Sequence, residues 1–262
     1  MWFEPNVFPD EFGVPIGEGN LGGIVAPVGF EKPPGGEIGS PNHVLNDHSY
    51  CCQLTPSMCA TGEPRTDKAN QCYEWHENRL GQRVEDAKRL GIPFHLTEFG
   101  ACLTEGPCVQ EITQVAEVAD HHLVGWAYWQ YKYYGDLTTS AGTGSEGFWN
   151  QDGSLQAWKV KALSRSYLKA TQGVPTLMNF DSETGQFYAK IKVNVNITEP
   201  TVLYLNSEYW YPNGYDIDIV NTDTNRILPR KQVKIDNSDP QNYKFQIIDK
   251  YVANISVHVK AK

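Results

Sequence analysis

The chain of 262 residues contains no apolar run near the roughly 18 residues needed to cross a bilayer, and its first residues lack the basic-then-apolar layout of a secretory leader. Positive charge is scarce: 22 Lys and Arg stand against 31 Asp and Glu, a net charge of −9. No basic cluster exceeds a pair such as Arg230-Lys231, so a nucleic-acid partner, whose phosphates demand a basic face, is excluded. Phosphate-cradling Gly-rich loops, Gly-x-Ser-x-Gly elbows and His-Glu-x-x-His pairs are missing, which removes nucleotide, serine-esterase and zincin chemistry. The cysteines lack the paired spacing and histidines of a zinc site. No cofactor and no metal is implied.

What is present is aromatic. There are 14 Tyr, 10 Phe and 7 Trp among 40% hydrophobic residues, enough for packed cores and incompatible with disorder. The six cysteines crowd between Cys51 and Cys108 and point to disulfides. Two sequons, Asn196-Ile197-Thr198 and Asn254-Ile255-Ser256, agree with an oxidising compartment. The expected location is extracellular or lysosomal, with the signal peptide lost together with a missing N-terminal part.

Up to residue 172 the pattern alternates short apolar strands (2–4, 44–50, 94–99, 123–130) with helices (77–90, 109–121, 155–170), as in βα units. Gly91-Ile92-Pro93 stops the first helix. Residues 5–41, rich in Gly and Pro, form a long functional loop. After Pro175 the period changes to two: strands over 186–194, 201–205, 215–220, 243–248 and 256–259 predict a small antiparallel β-sandwich. The expected domains are 1–172 and 176–262. A full (β/α)8 barrel needs about 250 residues, whereas four strands are found before the sandwich. The fold class is therefore α/β, either the second half of a TIM (β/α)8 barrel followed by the sandwich or a complete four-stranded α/β domain.

The sharpest chemical signal is Phe94-His95-Leu96-Thr97-Glu98-Phe99-Gly100, a buried strand ending in a carboxylate. Strand C-termini form the active face of a parallel barrel, so Glu98 stands where catalytic groups stand. His48 and Tyr50, two residues apart, share one strand face. Each can hydrogen-bond a carboxylate or a sugar hydroxyl. In the aromatic run 124–134, Trp129 is expected to offer a stacking platform for a sugar, with Trp126 and Tyr128 in the core. His121-His122 answers a helix dipole rather than a metal. Tyr209-Trp210-Tyr211 is expected at an edge or a domain interface rather than as a ligand patch.

Phe3-Glu4-Pro5, His48-Ser49-Tyr50, Thr97-Glu98-Phe99-Gly100 and Gly125-Trp126-Ala127-Tyr128-Trp129-Gln130-Tyr131-Lys132, in this order, resemble the second half of a family 5 glycoside hydrolase barrel. Val44 to Cys52, Leu96 to Cys102 and Gly125 to Lys132 are similar more narrowly to the endoglycoceramidases. Phe180 to Phe187 and Pro200 to Leu205 resemble that family's C-terminal sandwich. The resemblance implies a retaining hydrolase that cleaves between oligosaccharide and ceramide. Glu98 would be the nucleophile, with His48 and Tyr50 holding the carboxylates and Trp129 the sugar. Retention needs two carboxyl groups about 5 to 5.5 Å apart, and the family's Asn-Glu-Pro acid/base motif is missing here. Glu4 is assigned to support or substrate binding, since that spacing argues against its replacing the acid.

Met1 lies directly on the first strand, so the expectation is a C-terminal piece of a longer hydrolase. Its missing barrel half would be supplied upstream or by another chain. Unpaired strand edges would make the isolated piece insoluble or oligomeric. The partners implied are a glycosphingolipid or oligosaccharide, with membrane contact through the substrate alone. Two other functions fit the same residues: a non-catalytic glycan or glycolipid-binding protein, and a related glycosidase of family 5 or similar to family 30 with another aglycone. Six cysteines allow 15 pairings. A loop bond between Cys102 and Cys108 is one candidate, and a bond between adjacent Cys51 and Cys52 is not.

Overall fold

The computed structural model describes residues 1–5, 27–51, 59–60, 63–100, 105–131 and 146–262. The chain divides into two compact units, Met1–Leu163 and Ser164–Lys262. In the first, β1 (Trp2–Phe3), β2 (Val44–His48), β5 (Phe94–Glu98) and β6 (Gly125–Trp126) form one sheet in the order β1-β2-β5-β6. Every pairing in it is parallel. A two-residue hairpin, β3 (Cys59–Ala60) with β4 (Glu63–Pro64), stands apart.

Among the described residues, three α-helices accompany the sheet: α1 (Ala69–Leu90), α2 (Glu105–His121) and α3 (Ala157–Leu163). Helix α1 begins earlier than residue 77 because Ala69, Cys72 and Trp75 continue its buried stripe. It ends at Gly91, whose φ of 66° is left-handed and whose N–H caps Ala87 and Lys88. Leu80 of α1, Leu96 and Phe99 of the β5 region, and Ile112, Val115 and Val118 of α2 form one core, joined by Ala162 of α3. A second cluster joins Leu45 to Ala87, Leu90 and Ile92.

The junction between the units departs from the expected pattern. The helix expected over 155–170 is confined to α3, and Tyr167–Ala170 is a strand, β7, paired antiparallel with β10 (Thr201–Tyr204). The helical spacing ends where Arg165 and Ser166 are buried in the second unit. Arg165 donates to the Phe180 carbonyl at 2.9 Å, and Ser166 hydrogen-bonds Tyr211 at 3.0 Å. The boundary expected at 172–176 therefore moves to 163–164.

The second unit has two antiparallel sheets. One runs β13 (Val233–Asp239), β14 (Asn242–Ile247), β10, β7; the other runs β12 (Arg226–Ile227), β11 (Tyr215–Asn221), β15 (Asn254–Ala261), β9 (Phe187–Val193), β8 (Gly173–Phe180). Alternate residues of both feed one apolar core, among them Phe187, Ala189 and Ile191 of β9 and Tyr243, Phe245 and Ile247 of β14. Trp210 and Tyr211 lie in this core too, which corrects their expected place at an edge or interface. Burial pushes the Tyr211 phenol up to about 12.

Cys51, directly after the site-bearing end of β2, is disulfide-bonded to Cys72 in α1 across 21 residues of sequence. Cys108 is also disulfide-bonded, whereas Cys102 lies outside the described residues. Closing a loop of this length removes unfolded-state entropy, so Cys72→Ala should lower stability by about 3 kcal/mol. Urea denaturation of the full chain under non-reducing conditions measures it.

Candidate active site

The site is built at the C-terminal ends of β2 and β5. Along β2, Leu45 and Asp47 face the helices while Asn46 and His48 face the other way, and Tyr50 continues their row. β5 breaks this alternation once. Asp47 pairs with Leu96 but His48 pairs with Glu98, so Thr97 is an extra residue opposite β2. Such a bulge re-aims side chains. Leu96 and Phe99 both stay in the helix-side core, while Thr97 and Glu98 between them reach the residues of β2 on the opposite face.

Five polar side chains meet there. Tyr50 donates its hydroxyl to Glu98 Oε2 at 3.0 Å, and His48 Nδ1 lies 3.4 Å from the same oxygen. The opposite ring nitrogen, His48 Nε2, lies 3.2 Å from Glu4 Oε2, which also accepts from Asn46 Nδ2 at 2.9 Å. The imidazole thus stands between two carboxylates and can donate to both when protonated. Glu98 and His48 side chains are about a quarter exposed (23% and 25%) against 48% for Glu4, so a solute can reach the carboxylate while its donors stay partly dry. Burial first, then the Glu98 anion, pushes the Tyr50 phenol well above its usual range. Tyr50 is therefore held as a proton donor to Glu98 rather than as a phenolate.

Trp129 is tied by its backbone to the residues that follow Glu98. The strand expected over 123–130 is limited to Gly125–Trp126, after which Trp129 rejoins β5 through a single bridge to Gly100 and donates its N–H to the Phe99 carbonyl at 2.9 Å. The chain leaves the ladder because Trp126 and Tyr128 both turn edge-on to the buried Phe99 ring, which places them in the core as expected. Trp129 itself remains 37% exposed. Lys132, Tyr133 and Tyr134 of the aromatic run, and residues 6–26 of the expected loop, lie outside the described residues. His122 pairs with Glu77 at 2.8 Å, and His121 reaches Tyr73. Among the described residues no cluster suits a metal ion, and no helix is long and apolar enough to cross a membrane.

Sequence reasoning passed over Asn46, Thr97, Gln130 and Glu146. Asn46 carried a signal, a polar residue in phase with His48 and Tyr50. Glu146 carried none, since it follows a run of small residues. It is buried, accepts from Gln130 Nε2 at 3.1 Å, and its charge adds to the burial that pushes the Tyr128 phenol up and, after burial and Glu98, to the rise of Tyr50.

Two family profiles match the chain: Cellulase (glycosyl hydrolase family 5) over residues 18–135 and Glycoside hydrolase family 5 C-terminal domain over residues 165–247. The chain belongs to glycoside hydrolase family 5. Its curated relatives include Endoglycoceramidase I of Rhodococcus hoagii (strain 103S), 30% identical over 72% of this chain and 34% of the relative. Endoglycoceramidase of Cyanea nozakii is 26% identical over 75% and 36%. The chain thus spans about a third of the length of these curated relatives. Among solved structures, Endo-glycoceramidase II from Rhodococcus sp. in its ganglioside GM3 complex superposes with a TM-score of 0.66 at 17% identity, covering 100% of this chain and 49% of that one. Cryptococcus neoformans sterylglucosidase 1 gives 0.62 at 11% identity over 84% and 38%. The family-5 fold is a TIM-barrel-like α/β domain with a C-terminal domain.

A Cβ at Gly100 would stand 2.2 Å from the Trp129 carbonyl oxygen, which is backbone and cannot swing away. Gly100→Ala should therefore displace Trp129 and lower stability by about 2 kcal/mol or more. A lower melting temperature together with shifted tryptophan emission would register both.

Proposed function

We propose that this chain carries the nucleophile of a retaining glycosidase of endoglycoceramidase type. The observation that carries this reading is the convergence of Tyr50 and His48 on one oxygen of Glu98. With Oε2 held by both donors, attack falls to Oε1. An ester forms between Glu98 and the anomeric carbon as the bond to the ceramide oxygen breaks, and that oxygen takes a proton from a second carboxyl group acting as acid. Water, deprotonated by the same group, then releases the sugar. Glu4 is engaged by His48 and Asn46, so it supports the histidine, and the acid is assigned to a part of the barrel beyond these four parallel strands. Trp129 supplies the sugar platform. The glycolipid class is supported by the names of the curated relatives, endoglycoceramidases.

On this reading the four parallel strands are part of a (β/α)8 barrel and the two antiparallel sheets a β-sandwich. The Cys51–Cys72 bond supports an extracellular or lysosomal location.

The test is kinetic and covalent. In the full-length protein, Glu98→Gln should abolish release of oligosaccharide from a glycosylceramide, and Tyr50→Phe should lower kcat by on the order of 10²-fold. An activated 2-deoxy-2-fluoroglycoside should add one sugar mass to a peptide containing Glu98. Turnover that survives Glu98→Gln refutes the assignment, and saturable glycolipid binding with neither product nor label establishes a binding protein instead. A panel of aryl glycosides beside glycolipids reads the aglycone.

A further inference from the structure

Strand β2 is held from behind by a second set of polar side chains. Ser49, between His48 and Tyr50, points away from the site and is 1% exposed. Its Oγ lies 2.6 Å from His76 Nδ1 on α1, and His76 Nε2 lies 2.7 Å from Glu111 Oε1 on α2. His76 is 0% exposed and Glu111 6%. The order hydroxyl, imidazole, carboxylate is that of a nucleophilic triad. Burial decides against that role, because no acyl group could approach the Ser49 oxygen.

The arrangement has a directional logic instead. With the ring proton on Nε2 donated to Glu111 Oε1, Nδ1 is left to accept from the Ser49 hydroxyl. Each hydrogen bond fixes the next, and the three residues tie three elements to one point of backbone. That point also touches the nucleophile strand, since the Ser49 N–H donates to the Glu98 carbonyl at 3.0 Å. Ser49 thus anchors β5 through its backbone and the helices through its side chain.

We propose that His76, oriented by Glu111, is a positioning residue: through Ser49 it fixes the backbone between His48 and Tyr50 and so holds the Tyr50 hydroxyl on Glu98. A packing role alone would be filled by an apolar residue of similar volume without burying an imidazole and a carboxylate. The inference rests on Glu98 being the nucleophile.

A double-mutant cycle separates positioning from mere stability. Full-length wild-type protein, Glu98→Gln, His76→Phe, Ser49→Ala, Glu111→Gln, Tyr50→Phe and the pairs with Tyr50→Phe are assayed on an aryl glycoside well below their melting temperatures. The kcat values of the proteins that keep Glu98 are counted per site labelled to completion by the fluorosugar, and that of Glu98→Gln per protein. His76→Phe and Ser49→Ala should each lower kcat about 10-fold with KM within twofold, and neither should lower it further when Tyr50 is already Phe. Glu111→Gln, whose amide oxygen still accepts from Nε2, should keep most of the activity. Unchanged kcat in Ser49→Ala, or losses that add in full to that of Tyr50→Phe, would overturn the proposal. Should His76→Phe not fold, Ser49→Ala alone decides. If Glu98→Gln retains turnover, the functional reading itself fails, a result distinct from either.

Discussion

The structure depends on a buried ion network between β2 and α1. Asp47 accepts from Arg79 at 2.7 Å and pairs with Arg83 at 3.1 Å, and Arg83 donates to Asp86 at 2.9 Å. All four are at most 1% exposed. Two anions and two cations out of water are tolerable only because every charge faces its opposite, and removing one partner from such a set costs roughly 3–5 kcal/mol. The geometry makes it more than a balance of charge. Asp47 Oδ1 also receives the N–H of His48 at 2.8 Å, and Arg79 Nε donates to the His48 carbonyl at 2.6 Å. The N–H of the histidine that bridges the carboxylates is thereby fixed by Asp47, and its carbonyl by Arg79 of the helix that also holds Asp47. Asp86 further accepts the Val28 N–H at 3.1 Å, which extends the same network to the segment that packs beside β2.

This constraint explains why the two faces of β2 carry different chemistry. His76, Arg79, Arg83 and Asp86 recur on α1 at three- and four-residue spacing, so they form one buried stripe along the strand's rear. A one-residue slip of β2 would send Asp47 and Ser49 to the open face and take from Arg79 and Arg83 the carboxylate they share. Specific register is what delivers Asn46, His48 and Tyr50 to Glu4 and Glu98. Polar residues inside the helix-sheet interface thus work as an alignment device, and apolar packing alone, indifferent to sliding, would not supply it.

The four strands of the parallel sheet were legible because each is a short apolar run bounded by turn residues, whereas the hairpin of β3 and β4 was not expected, and Glu98, His48 and Tyr50 stood out as polar strand-end residues. What escaped was of two kinds. The bulge at Thr97 has no sequence signal, since Leu96-Thr97-Glu98-Phe99 alternates poorly either as a strand or as a helix and only burial of both Leu96 and Phe99 resolves it. The stripe on α1 was invisible for a related reason: Arg79, Arg83 and Asp86 look like a solvated helix face, and only the partner strand shows them buried. Residues 167–170 misled because Leu163, Tyr167 and Ala170 keep a helical spacing while the backbone turns to pair with β10. Tertiary hydrogen bonds outweighed local pattern there.

The same contrast distinguishes the two carboxylates of the site. Glu98 has its backbone tied to Ser49, its side chain tied to Tyr50 and His48, and the buried Phe99 immediately behind it. Glu4 follows a two-residue strand, is half exposed, and is oriented only through Asn46 and His48. A group that must attack one carbon from one direction gains from being over-determined, since orientation supplied in advance lowers the barrier. A group that steadies a histidine needs only charge and reach. The difference in how firmly the fold holds them therefore supports the proposed division of labour independently of any motif.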